Sequence, residues 1–307
     1  MLSLFKRSAA GGGQIGIHRT EDGLATAEVR DAGPGAKPVL THFSFESSDD
    51  PDLLARIVRQ LPNRRLSTVA VLPASRYSML LVEAPEVASD ELRAAVRWRI
   101  KDLIDFHIDD AVLDVFQMPN RGRGGPNQMM YAIAAKAEGV QGEVNAVEDA
   151  GLKLKAIDIL ELSLRNLAQL LDTDGRGAGL LYLADNTGVL LIVRQGTLYL
   201  ARRFDTGVKT LEDAAALRSE LIAGLALEAR RSLDYFESHY EQSSVQVIYT
   251  AGLSPSDLDQ MAGELGISLR NIELSSLFDT SIEYDEETSR RCMPAIGAAL
   301  RREQVTL

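Results

Sequence analysis

Residues 89–116, SDELRAAVRWRIKDLIDFHIDDAVLDVF, read as a capped amphipathic helix that ends at an aromatic turn and runs straight into a strand. At 3.6 residues per turn, Leu92, Ala95, Val96, Ile100 and Leu103 share one face. Ser89 stands at the N-cap position, with Asp90 and Glu91 where the helix dipole favours negative charge. Trp98, the only tryptophan, points about 150° from the centre of that stripe. A large aromatic on the polar face needs a cover. Packing at a seam of this chain and anchoring a bound peptide both supply one.

Outward from this helix, the pattern is one of strands and helices in a repeated plan. After Gly11-Gly12-Gly13, QIGIHR and LATAEVR read as two strands joined at Glu21-Asp22-Gly23, and PVLTHFSF as a third. Asp50-Pro51 opens a helix carrying Leu53, Leu54, Ile57, Val58 and Leu61. STVAVLPA, YSMLLVEA, the helix from Ser89, AVLDVFQM and QMMYAIAAK form a second unit, with basic, glycine-rich NRGRGGPN as an exposed hairpin tip. A helix near 138–150, the strand LKAIDIL and an apolar helix with Leu162, Leu164, Leu167, Leu170 and Leu171 follow, and Asp172 to Gly179 reads as a linker. The second half begins again with GLLYLAD, GVLLIVR and TLYLARRF, with Gln195-Gly196 at the second turn, then a long helix over 210–241 and the buried strand VQVIYTAG. Ser254 caps a helix with Pro255 at its first position, Asp257 in its first turn and Gly266 past its end. SLRNIEL is a last strand, 279–287 a charged surface loop, and Pro294 to Arg302 a closing helix. Both halves start with a hairpin and a third strand before a helix. The architecture is duplicated although the residues do not repeat.

Composition sets limits. The 307 residues suffice for two lobes with real cores. A net charge of −11 argues against broad nucleic-acid binding, which needs clustered positive charge. Cys292 is alone, and His18, His42, His107 and His239 lack ligand spacing, so no metal site is expected. No apolar run approaches a bilayer span, and the apolar part of Met1 to Arg7 is too short for a signal peptide. Leu2, Leu4 and Phe5 beside Lys6 and Arg7 suit contact with an anionic membrane surface, but an unstructured terminus is the plainer reading. Gly11 to Gly16 matches G-x-G-x-x-G but leads into a strand and not a helix, which removes its phosphate-binding logic. Asp109 and Asp110 are adjacent and point apart, so they read as a solvated turn and not an acid–base pair, and no catalytic residue is assigned.

This duplicated plan, with an inserted strand-helix-strand module, resembles the α/β actin-like ATPase (ribonuclease H-like) fold. More narrowly the chain is similar to the PilM group of type IV pilus assembly proteins, especially its MshI branch serving MSHA-type pili. The likeness rests on ELRAAVRWRIKDLIDFHIDDAVLDV, on EDAGLKLKAIDILELSLRNL and on LALEARRSLDYFESHYEQSSVQVIYTAGL. It implies a first lobe of 1–65 and 151–178, an inserted module of 66–150, a second lobe of 179–289 and a C-terminal helix, 290–307, returning to the first lobe. It further implies a cleft for ATP and Mg²⁺, with Asp185, Thr187 and Gly188 in a phosphate turn and Gly207 and Gly252 beyond it. The departures point to a degenerate pocket. His18 stands where the family's first aspartate falls, Arg19-Thr20-Glu21 supplies no glycine turn, and paired glycines are reduced to Thr206-Gly207 and Ala251-Gly252.

The partner implied is the N-terminal cytoplasmic peptide of a PilN- or MshJ-like inner-membrane protein, docking between the first lobe and the module. Arg97, Trp98 and Lys101 would be its contacts. The place implied is the bacterial cytoplasm, against the inner membrane, among other pilus assembly components. An active actin-like ATPase and an FtsA-like membrane adaptor are the alternatives. The second needs an amphipathic C-terminal helix, and Arg290 to Leu307, with four arginines, matches that poorly.

Overall fold

The computed structural model describes residues 12–33, 35–50, 52–88, 91–119 and 128–302. The Met1–Arg7 segment, the Ser89 and Asp90 cap, Pro51 and the hairpin tip at 120–127 lie outside them. β1 (Gly13–Arg19), β2 (Gly23–Arg30) and β3 (Val39–Ser47) form an antiparallel meander. α1 (Leu53–Val58) crosses over, and β4 (Ser67–Val71) returns parallel to β1.

An excursion follows: β5 (Tyr77–Glu83), α2 (Leu92–Ile100), β6 (Ala111–Gln117) and β7 (Met129–Lys136), forming a three-stranded antiparallel sheet ordered β5-β7-β6. α3 (Ala137–Asp149) and β8 (Lys153–Asp158) then complete a sheet ordered β3-β2-β1-β4-β8. α4 (Leu160–Leu171) leads into β9 (Ala178–Leu183), β10 (Gly188–Arg194), β11 (Thr197–Phe204), α5 (Val208–Asp213) and α6 (Arg218–Tyr240). β12 (Val247–Ala251), α7 (Pro255–Leu265), β13 (Ser268–Asn271), α8 (Leu274–Leu277) and α9 (Glu286–Ala299) end the described fold. The second sheet, β11-β10-β9-β12-β13, has the same meander-then-parallel plan as the first.

Two helices fill the space between the sheets. α9 packs on β1, β2 and β4, while α4 packs on α9 and on β9, β10 and β11. Their approach is close enough to need glycine: a Cβ on Gly16 would lie 1.7 Å from the Ala295 carbonyl oxygen, and one on Gly297 2.1 Å from that of Ser163. One apolar core therefore runs from Ala27 and Phe43 through Leu164, Leu167, Met293 and Ile296 to Leu180 and Leu191. It joins both lobes.

Several expectations are corrected. STVAVLPA is not a module strand: β4 lies between β1 and β8 in the first sheet, and the module's own sheet begins at Tyr77. The helix over 210–241 is two helices, α5 and α6, because Arg218 turns back to cap the Leu211 carbonyl and to pair with Asp257. The closing helix starts at Glu286, well before Pro294, since Asp285 caps it by accepting from the Thr288 amide at 2.7 Å. Residues read as a charged loop are thus a helix start, and Pro294 sits inside the helix. In α2, Leu92, Val96 and Ile100 bury against Val82, Val115, Met130, Ala132 and Ala134 as the stripe predicts. Leu103 is exposed because the helix ends before it. Among the described residues no helix is long and apolar enough to cross a membrane.

Candidate functional site

Two hairpin turns, one per lobe, meet across the cleft. In the β1–β2 turn the Thr20 amide donates to the Gly23 carbonyl at 2.9 Å and its hydroxyl to Asp22 at 3.0 Å. Gly23 is obligatory there, since a Cβ would lie 2.3 Å from the Glu46 carbonyl. In the β9–β10 turn the Ala184 amide donates to the Thr187 carbonyl at 2.8 Å and presents Asp185. Arg291, from the first turns of α9, bridges the two acids with one nitrogen 2.8 Å from Asp22 and another 3.0 Å from Asp185. Arg290 reaches Asp185 at 2.9 Å and the Leu183 carbonyl at 3.1 Å, and Lys209 reaches Asp185 at 3.0 Å. Glu287 pairs with Arg291 at 3.0 Å, and the Arg291 guanidinium lies over the Phe45 ring, 4.4 Å from its centroid.

Burial alone would raise both aspartates. Hydrogen bonds and charge from Arg291 and Thr20 at Asp22, and from Lys209, Arg290 and Arg291 at Asp185, outweigh it and hold both below the usual carboxylate range. Above this cluster lies a cavity of about 600 Å³, lined by Asp185, Gly252, Arg290 and Arg291, with Glu212, Glu273, Glu286 and Glu287 also on its walls.

Of the residues expected at a nucleotide, Asp185 and Gly252 line this cavity, and Gly252 has φ +104°, where a side chain is strained. Thr187 is exposed in the turn, Gly188 is buried beneath it, and Gly207 closes on the Asp185 carbonyl, which a Cβ would approach to 2.4 Å. Asp22, Lys209, Arg290 and Arg291 were not anticipated. The signal for Asp22 is its place before Gly23; in the sequence the arginine pair belongs to the C-terminal stretch from Arg290 that matches a membrane helix poorly. His18, at the expected acid position, is buried, its Nδ1 without a hydrogen-bond partner among the described residues.

A second cleft, of about 420 Å³, lies between the module (Phe116, Gln117), α4 (Leu162, Gln169) and the β10–β11 turn with Leu198. Its surroundings are tied together by a buried group. The Tyr77 hydroxyl donates to Glu161 at 2.6 Å and accepts from the Leu160 amide at 3.1 Å, while Arg203 of β11 reaches Glu161 at 2.6 Å. Burial pushes the Tyr77 hydroxyl up, so it stays a neutral donor. The Ala201 amide also donates to the Tyr131 hydroxyl at 3.4 Å.

The α2 residues stand elsewhere. Trp98 is 73% exposed on the outer face of the helix, which rules out packing at a seam of this chain as its cover. Lys101 sits over its ring, 5.7 Å from the centroid. Arg97 turns to the Ile108 and Ala111 carbonyls and to Asp109 at 3.6 Å. None of the three lines either cleft.

Two lobes of like topology around paired hairpin turns, with helices between the sheets, define an actin-like ATPase fold. The model of the family "Type IV pilus assembly protein PilM" matches residues 44–221, and the chain belongs to that family. Among solved structures, the PilM–PilN type IV pilus biogenesis complex is similar at 20% identity and a TM-score of 0.70, over 94% of this chain and 96% of that one. The cytoplasmic domain of EpsL, an inner-membrane component of the type II secretion system of Vibrio cholerae, is similar at 11% identity and a TM-score of 0.53, over 95% and 97%. A Bacteroides thetaiotaomicron protein with an actin-like ATPase fold follows at 8% identity and a TM-score of 0.48, over 90% and 96%. No curated protein is similar enough in sequence to count as a match.

Proposed function

We propose that this protein is a non-enzymatic scaffold of MSHA-type pilus assembly in the bacterial cytoplasm. It captures the N-terminal cytoplasmic peptide of a PilN- or MshJ-like inner-membrane protein, which would hold it at the membrane. The observation that carries the reading is the second cleft. Phe116, Leu162 and Leu198 offer apolar contact for alternate side chains of an extended peptide, and Gln117 and Gln169 offer amides for its backbone. Its walls come from the module, a first-lobe helix and the second lobe, so an occupied cleft would fix all three. Trp98, Lys101 and Arg97 are a separate surface, suited to another pilus assembly component, because an exposed aromatic beside a cation is a common anchor.

The test is fluorescence anisotropy with the labelled N-terminal peptide of the PilN-like partner. Binding should be lost in Leu162→Arg and retained in Trp98→Ala. Absence of binding to the wild-type chain, with or without ATP, would sink the scaffold reading. The rival, an active ATPase, draws on the cavity beside Asp185 and Gly252. It requires magnesium-dependent ATP binding that weakens in Asp185→Ala.

A further inference from the structure

ATP and Mg²⁺ need three things from this cleft: carboxylates free to hold the metal and its waters, amides free to cradle phosphate, and a surplus of positive charge. The first is missing. Both turn acids are already engaged by Lys209, Arg290 and Arg291, and among the described residues no three His, Cys, Asp or Glu side chains gather as a metal site. The second is missing at the start of α5, beside the second-lobe turn. The Gly207 amide donates to the Thr210 hydroxyl, that of Val208 to the Ala184 carbonyl and that of Lys209 to the Asp185 carbonyl. The third is missing too. Lys209, Arg290 and Arg291 are balanced by Asp22, Asp185 and Glu287; of the remaining charges on the cavity wall, Arg218 is paired with Asp257, and Glu212, Glu273 and Glu286 are acidic. The group does not fit.

We infer that the Asp22–Arg291–Asp185 bridge, closed by Arg290 and Lys209, is an internal substitute for metal and phosphate that holds the lobes together without nucleotide. The pairing has the right connectivity for this. Asp22 belongs to the first lobe and α9 packs on the first sheet, whereas Asp185 and Lys209 belong to the second lobe. Arg290 and Arg291 are mostly buried, so their bonds to Asp185 are less screened than a surface pair. The guanidinium fork spans two carboxylates at once, which a lysine does poorly. This shares with the scaffold reading the premise of an unreactive cleft and goes beyond it by naming what replaces the ligand.

The experiment joins a binding measurement to amide exchange on the full chain. Calorimetry of the wild type with Mg·ATP should give no binding tighter than ~1 mM. Asp185→Asn should raise exchange about tenfold or more in 183–188 and 286–291, as expected when a local opening loses ~1.4 kcal/mol. Arg291→Lys, which keeps the charge and loses the fork, should raise it less. Glu228→Gln, which breaks a surface pair with Arg202 and Arg231, should leave those segments unchanged. Magnesium-dependent binding tighter than ~1 mM, or wild-type exchange in Asp185→Asn, overturns the inference. Should Asp185→Asn not fold, the wild-type calorimetry and Arg291→Lys still decide it. Peptide binding is read in the same samples: its absence defeats the scaffold reading and leaves the bridge standing.

Discussion

A methyl group at Gly16 would put carbon 1.7 Å from a main-chain oxygen of α9, and neither β1 nor the helix can yield without disturbing the shared core. Gly16→Ala should therefore destabilise by about 3 kcal/mol or more, read as a drop in the urea midpoint. Two residues on, His18 is buried and burial lowers its pKa from 6.5 to about 4. The unfolded chain takes up this proton first, so stability is full above about pH 6.5, falls as pH drops toward 4 and levels off below it. Removing the titration in His18→Gln should cut the total stability loss between about pH 6.5 and 4 by about 3 kcal/mol relative to wild type, followed by urea unfolding across this range. His42, also lowered by burial, adds a slope of the same sign to both proteins. Neither role was legible locally. Gly16 ends a glycine motif whose phosphate-binding reading fails and is left without a role, and His18 reads as a lost aspartate, because the helix that explains Gly16 lies at the far end of the chain.

Elements were legible where their signals are local. The α7 capping box, with Ser254 and Asp257 bonded reciprocally, and the α2 stripe follow from adjacent residues. So does the hairpin turn at Gln195-Gly196, where both residues have positive φ, 49° and 74°. Glutamine is poorly suited to that conformation and asparagine better, so Gln195→Asn should stabilise by roughly 0.5 kcal/mol, visible in the thermal midpoint. The Asp172 carboxylate that accepts from the residue 195 amide at 2.7 Å would be kept, since it contacts backbone. What stayed illegible was set by tertiary contact. The break between α5 and α6 carries no glycine or proline and depends on Arg218, while Pro294 drew attention from the true start of α9 at Asp285. The same limit hid the site: the cleft's bridge joins residues near 22, 185, 209 and 290, of which Asp185 alone falls in an expected phosphate turn and Asp22 is marked only by the glycine after it.

For the whole molecule, the joint among module, first lobe and second lobe rests on Tyr77, Glu161 and Arg203. Tyr77→Phe leaves Glu161 with Arg203 alone and the Leu160 amide without its acceptor. A loss of about 1–3 kcal/mol is expected, with faster amide exchange in β5 and at the start of α4 than elsewhere. The other joint is α9, buried against β1, β2 and α4. That placement has a cost during synthesis. β1 leaves the ribosome long before α9 exists, and at about 5–20 residues per second the wait is on the order of tens of seconds. Until then the face of the first sheet around Gly16, Ala25 and Ala27 has no cover from its own helix. A nascent chain of this design must either be shielded by a chaperone or borrow a temporary lid from α4, and its lobes cannot finish folding in the order they are made.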